Sequence, residues 1–207
     1  MAEAPVDIAI FARAPVPGLC KTRLIATLGA AGAARLHRRM ALRTVHVAKR
    51  ANLGDVTLWC APDTAHRFFR AVHRCFGVAL RAQAEGDLGA RMAAAFARAG
   101  SRRPLLAIGT DCPVLDEHHL QRSADALRQG QAATLLPAED GGYVLIGLRH
   151  DAPEVFERID WSSEHVLAQT RERLRRLGLA WHEGETLWDV DRPADVERLD
   201  RLVDGRR

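Results

Sequence analysis

Short apolar runs alternate with segments of helical periodicity along most of this chain, and that alternation constrains the fold more than any other feature. Val6-Asp7-Ile8-Ala9-Ile10-Phe11 is short, apolar and rich in β-branched residues, and predicts a buried strand. A helical pattern over 30–51 follows, ended by Asn52 and Gly54. Strands are expected at 56–60, 78–83 and 104–108, with helices at 65–75, 87–99 and 117–129; Gly100 stands just past the second of these helices. Strands at 132–136 and 143–148 come next, then helices near 153–158 and 163–177, one or two short strands within 179–188, and a helix at 194–202. This order is the signature of a mainly parallel sheet with helices on both faces. No repeat, linker or low-complexity tract interrupts it, so residues 1–207 read as a single three-layer α/β/α domain. Ligands of such sheets bind beyond the carboxyl ends of the strands. The loops after Phe11, Gln83, Ile108 and Leu136 are therefore expected on one edge.

Composition removes several classes. With 47% hydrophobic residues, the 207-residue chain has material for an ordinary core. No run of about 18 apolar residues occurs, so no membrane span is expected. The first residues lack a basic start and a long apolar stretch, so they do not read as a secretory signal and a cytoplasmic setting is expected. Cys20, Cys60, Cys75 and Cys112 have neither C-x-x-C nor zinc spacing, and free thiols are expected. The net charge of +4 is spread along the chain and aromatics are 5%, so nucleic acid is not an expected partner. Of the 30 basic residues, 28 are arginine, which makes Lys21 and Lys49 exceptions. Lys21 stands in a loop whose prolines and glycine forbid a regular element.

That loop, Gly18-Leu19-Cys20-Lys21-Thr22-Arg23, offers backbone amides and two cations to a phosphate. It is neither a Walker A loop nor G-x-G-x-x-G. A plain surface turn is the alternative. In Gly109-Thr110-Asp111-Cys112-Pro113, a carboxylate follows a buried strand, where Mg²⁺ finds oxygen ligands beside substrate phosphates. Asp111 could instead cap the next helix, but Asp116 is better placed for that. Glu139-Asp140-Gly141-Gly142-Tyr143 is either a simple hairpin turn or a pair of acids facing an acceptor. In Trp188-Asp189-Val190-Asp191-Arg192-Pro193 the acids alternate, so they face opposite sides; Asp191 could simply cap the last helix. Ser162 or Ser163 is expected to cap the helix that follows it. His118 and His119 lack metal spacing. There is no G-x-S-x-G elbow, and no histidine neighbours Cys112 in sequence.

Taken in order, FARAPVPGLCKTRL, QAEGDLGARM, GTDCPVL, EDGGYVLIGL, WSS and DVDRPADV resemble one bacterial family from residue 8 to residue 199. It is the family of radical-SAM/selenodomain-associated transferases, also called arsenosugar-biosynthesis-type glycosyltransferases, of the A-type glycosyltransferase (nucleotide-diphospho-sugar transferase) fold. More distantly the chain is similar to molybdenum-cofactor and phospholactate guanylyltransferases. The resemblance implies a nucleotide at the N-terminal half of the sheet. Phe11, Ala12 and Arg13 would border it, and Arg13, Gly18, Lys21, Thr22 and Arg23 would hold its phosphates. Gln83, Asp87, Leu88 and Gly89 would lie by the base or ribose. Asp111 would bind Mg²⁺ or Mn²⁺, with Asp191 the candidate second ligand and Asp189 its rival. Glu139, Asp140 and Tyr143 would border a small-molecule acceptor, and Lys21, Asp111 and Asp140 would carry the chemistry. One departure is Ser163, where the family pattern leads one to expect threonine. Two reactions fit: glycosyl transfer from a nucleotide-sugar, which the family label favours, and nucleotidyl transfer from a triphosphate, which the basic loop favours. A non-catalytic nucleotide-binding regulator is a further alternative, and an unrelated hydrolase a more distant one.

Overall fold

The computed structural model of the chain describes residues 3–99 and 103–204; Gly100 lies outside them. Strand β1 (Asp7–Arg13) buries Ile8, Ile10 and Ala12 in one core cluster and Ala9 in another, the alternation that a two-residue period imposes. It runs beyond Phe11 because pairing with β2 (Val56–Ala61) continues through Arg13 and Ala61. Helix α1 (Ile25–Ala51) breaks at Gly29 (φ 67°, ψ 162°), so its regular part begins where the periodicity places it. Then come α2 (Arg67–Phe76), β3 (Ala79–Ala82), α3 (Leu88–Ala99), β4 (Leu105–Ile108) and α4 (Glu117–Arg128). They are followed by β5 (Ala133–Pro137), β6 (Tyr143–Leu148), α5 (Val166–Arg176), β7 (Trp181–Glu183) and α6 (Pro193–Asp204).

One expectation needs correction, and another is met at its lower bound. The helix near 153–158 is a single 3-10 turn, Pro153–Phe156, started by its proline and halted before Arg158, which takes a positive φ of 53°. Of the strands within 179–188 only β7 forms; the second reduces to a bridge between Leu187 and Ala138.

The sheet order is β3-β2-β1-β4-β6-β5-β7, and every neighbouring pair is parallel except the two that involve β6. The β5–β6 hairpin folds β6 back between β4 and β5. Helices α1, α2 and α4 cover one face around Phe69, Leu120 and Leu127. Helices α3 and α5 cover the other, around Met92, Phe96 and Leu174. Helix α6 packs through Leu199 on α1 and on the 188–190 segment. The fold is thus the mostly parallel three-layer α/β architecture expected. The carboxyl ends of β1, β3, β4, β5 and β7 all lie on one edge. The four cysteines are free, as expected. Among the described residues, no helix is long and apolar enough to cross a membrane.

Candidate functional site

The loop after β1 turns at Gly18 (φ +85°) and again at Lys21, which adopts φ 49°, ψ 44°. A left-handed lysine costs about 1 kcal/mol, and such strain clusters at functional sites. Leu24, fully buried, anchors the short 3-10 turn Thr22–Leu24 that follows. The backbone thereby sends the Lys21 side chain inward, where it is 4% exposed. Its ammonium lies 3.0 Å from Asp111 Oδ1 and donates to the Val190 carbonyl. The Val190 amide in turn donates to the Asp111 carbonyl at 2.9 Å. One buried residue, Val190, so ties the C-terminal segment to both the first loop and the end of β4.

Asp111 is free for this because Asp116 caps α4: its carboxylate accepts from the His119 amide at 3.1 Å. The Asp111 side chain is 44% exposed, facing the crevice. Behind it stands His37, which belongs to no sequence motif. His37 is buried on α1 and its Nε2 lies 2.9 Å from the Arg13 carbonyl. With Nε2–H donating there, Nδ1 carries the lone pair. That Nδ1 is buried without a hydrogen-bond partner, 3.9 Å from Asp111 Oδ1, too far for a bond. Its signal in the sequence is that it shares the buried stripe of α1 with Ala33, Met40, Ala41 and Thr44.

The two C-terminal acids part company. Asp191 pairs with Arg23. It does not cap α6; the amides of Asp191 and Arg192 are taken by the Asp195 carboxylate at 2.9 and 2.6 Å. Asp189 turns toward the crevice. Burial, and then the nearby Asp111 and Asp140 carboxylates, push its pKa up to about 7, against the pull of Lys21. Asp111 and Asp189 thus both feel the one ammonium of Lys21.

The 138–142 turn is the hairpin that the sequence allowed as its plainer reading. The Ala138 amide donates to the Gly142 carbonyl, and the Asp140 carboxylate accepts from the Gly142 amide at 2.9 Å. Gly141 takes φ +89°, and a Cβ there would lie 2.2 Å from the Glu164 carbonyl oxygen. Glu139 is held by Arg198 through two bonds of 2.7 and 3.1 Å, which keep its carboxyl below the usual range. Arg198 itself stacks on Trp188, 4.2 Å from the ring centre. Tyr143 does not present its hydroxyl to the crevice: the group is buried beside Thr170, and burial raises its pKa.

Gln83, Ala12 and Phe11 are brought together at the ends of β1, β2 and β3. The Gln83 amide donates to the Trp59 carbonyl at 2.9 Å and the Ala12 carbonyl at 3.4 Å, and Phe11 stacks on Trp59 at 6.1 Å. Asp87 has a local duty, accepting from the Ala90 amide at the start of α3. Leu88 is 44% exposed, and Gly89 is where the Trp161 indole presses, since a Cβ there would lie 2.6 Å from its Nε1. Ser163 braces the turn before α5, taking the His165 amide at 3.2 Å, but the N-cap position itself is His165. Cys112, beside the site, is buried, and burial pushes its pKa up to about 12, which disfavours the thiolate.

A divalent cation is implied by the resemblance, and the donor set fits one. Among the described residues no three His, Cys, Asp or Glu side chains stand ready as a complete cage. Mg²⁺ and Mn²⁺ need none, because one or two carboxylates suffice when phosphate and water supply the rest. Asp111 and Asp189 offer those carboxylates, and they lie near enough for Asp111 to raise the Asp189 pKa.

The fold recurs in solved structures. A candidate nucleotide-diphospho-sugar transferase from Desulfovibrio desulfuricans G20 is 30% identical, with a TM-score of 0.82 over 91% of this chain and 83% of that one. CMP:2-keto-3-deoxy-manno-octonic acid synthetase, complexed with CTP, superposes with TM-score 0.61 at 13% identity, over 99% and 100% of the two chains. Rv0371c from Mycobacterium tuberculosis H37Rv, in complex with manganese, does so with TM-score 0.58 at 19% identity, over 96% and 98%. These last two show the shared fold, which is that of nucleotide-diphospho-sugar transferases and nucleotidyltransferases. No curated protein matches the chain. The profile of a family described as "Uncharacterized protein conserved in bacteria (DUF2064)" matches residues 44–163, more than half of the sequence, and the chain belongs to that family.

Proposed function

We propose that this protein is a divalent-cation-dependent transferase that takes its transferred group from a nucleotide donor. The observation that carries this reading is Lys21: a buried ammonium set against Asp111 on the edge where Asp140 and Asp189 leave negative charge uncompensated. Arg13, the last residue of β1, and Arg23, on the 3-10 turn after the loop, flank it, both exposed. The donor's phosphates lie along this loop, held by Lys21, the two arginines and the amides around Gly18. Phe11, Ala12 and Gln83 border the nucleoside. Asp111 and Asp189 would hold Mg²⁺ or Mn²⁺, which neutralises phosphate charge when bound; Asp191 is committed to Arg23 and gives way to Asp189 in that role. Asp140, exposed on the hairpin turn, faces the acceptor and takes its proton.

Three cations in and beside one loop match a triphosphate, so the first reading is nucleotidyl transfer: the acceptor oxygen attacks the α-phosphorus and pyrophosphate leaves, its charge met by Lys21 and Arg23. The second reading is glycosyl transfer from a nucleotide-sugar. It is favoured by the Desulfovibrio relative's description and by the resemblance to arsenosugar-biosynthesis-type glycosyltransferases.

A thermal-shift screen against nucleoside triphosphates, diphosphates and nucleotide-sugars, each with and without Mg²⁺ or Mn²⁺, tests the proposal. A ligand at 100 times its dissociation constant adds about 2.7 kcal/mol, a rise of roughly 5–10 °C for a chain of this size. Stabilisation by one triphosphate, with pyrophosphate release, supports nucleotidyl transfer. Stabilisation by a nucleotide-sugar beyond its bare diphosphate supports glycosyl transfer. Asp111→Ala keeps the fold and loses the cation-dependent shift. A panel with no shift at all, or an Asp111→Ala variant with full activity, overturns the proposal.

A further inference from the structure

A trough of about 710 Å³ opens between α1 and α2, beside the Pro15–Pro17 segment. Its floor is apolar. Val16 from the loop, Ala31 and Ala34 from α1, and Phe68 and Ala71 from α2 line it. Its rim is cationic: Arg35 and Arg38 on α1, Arg67 and Arg74 on α2. On α1 these residues stand at i, i+3, i+4 and i+7, and on α2 at i, i+1, i+4 and i+7, so each set shares one side of its helix and the two sides form facing walls.

The charges on this rim are unanswered. No acidic side chain lines the trough. The four arginines are exposed, and among the described residues none of them makes an ion pair or hydrogen bond, although many other arginines of the chain are paired. Neither α1 nor α2 has an acidic residue in its first turn, so the positive helix ends add to the same field. Four guanidinium groups around an apolar floor repel each other in the absence of an anion.

We propose that this trough binds a soluble organic anion with an apolar body, an alkyl or aryl phosphate or carboxylate. The anionic group is held by the arginine forks and the hydrocarbon lies on Val16, Ala34, Phe68 and Ala71. The volume is that of a small-molecule pocket. A membrane surface fits less well, since Ala34 and Phe68 are each only 6% exposed and lie recessed below the arginines, so the ligand must come in rather than the protein insert. The inference does not depend on which donor the neighbouring site uses.

Titration calorimetry on the full chain with monomeric octyl phosphate tests it. The expected result is saturable one-to-one binding that persists with a saturating nucleoside triphosphate and Mg²⁺. Inorganic phosphate and octyl glucoside, each carrying half of the chemistry, should bind at least about tenfold more weakly. Arg38→Glu and Arg74→Glu should each weaken octyl phosphate about tenfold or more. Arg39→Glu and Arg70→Glu change charge equally on the same two helices outside the trough, and should leave binding unchanged. Ala71→Leu, which fills the floor without touching charge, should weaken octyl phosphate and spare inorganic phosphate. Absence of saturable binding overturns the proposal. So do equal losses in the control variants, displacement by the triphosphate, or binding only to phosphatidylglycerol vesicles.

Discussion

A lysine ammonium that is almost wholly enclosed must find partners, and Lys21 finds its two in parts of the chain far from it in sequence, Asp111 and Val190. Lys21→Met should remove the charge that meets the leaving group and lower turnover about 100-fold or more, with far-ultraviolet circular dichroism unchanged. Lys21→Arg should not restore it, because the fork is too large for the space beside Val190. Asp189 makes a prediction in pH. Its pKa of about 7 in the folded chain stands above the roughly 3.9 of an unfolded aspartate, so the folded state keeps a proton that the unfolded state releases between those values. The stability from that proton is full below about pH 4 and is lost as pH rises through about 7. Asp189→Asn should therefore gain on the parent as pH goes from 5 to 8, by on the order of 2 kcal/mol, read as a widening difference in Tm. A pH-independent difference would refute it. Lys21 was legible in the sequence because lysine is rare in this chain and the loop is irregular. His37 was not, because a histidine within an amphipathic helix carries no mark of what lies beneath it. The ranking of Asp191 over Asp189 came from family pattern, and the pairing of Asp191 with Arg23 is why the proposed function prefers Asp189.

At the scale of elements, the 138–142 turn is a hairpin whose Asp140 carboxylate lies near enough to Asp189 to raise its pKa. The sequence left a plain hairpin and a pair of acids facing an acceptor as rivals, since local turn chemistry is silent on what faces the turn. Gly141 is fixed there by two demands, a positive φ and the Glu164 carbonyl pressed against it. Gly141→Ala should cost about 2–4 kcal/mol, while Gly142→Ala, whose Cβ would meet only the Asp140 carboxylate at 3.2 Å, should cost less than about 1 kcal/mol. Urea denaturation of the two variants compares them directly. Helix and strand positions were mostly legible because period and punctuation are local properties. The misjudged element, the 153–158 turn, is one in which a single positive-φ residue decides the length.

For the molecule as a whole, β4 is the pivot, sandwiched between β1 and the antiparallel β6, with all four of its residues buried. Leu106, with no exposed surface, packs over Gly147 of β6. Leu106→Ala should cost about 2–5 kcal/mol, whereas Leu177→Ala, at 40% exposure, should cost under about 1 kcal/mol by thermal unfolding. The alternation of strands and helices announced a parallel sheet and its working edge. It did not announce the interposition of β6, because strand order is settled by packing between distant segments. The bond between Val190 and Asp111 has a consequence in time as well as in space. The ribosome makes Asp189 78 residues after Asp111, about 4–16 s later in a bacterium. Through that interval the emerging chain has its lysine loop and its first carboxylate but not the segment that locks them together. The nascent chain therefore lacks the Val190 tie between the lysine loop and the end of β4 until its late residues fold back.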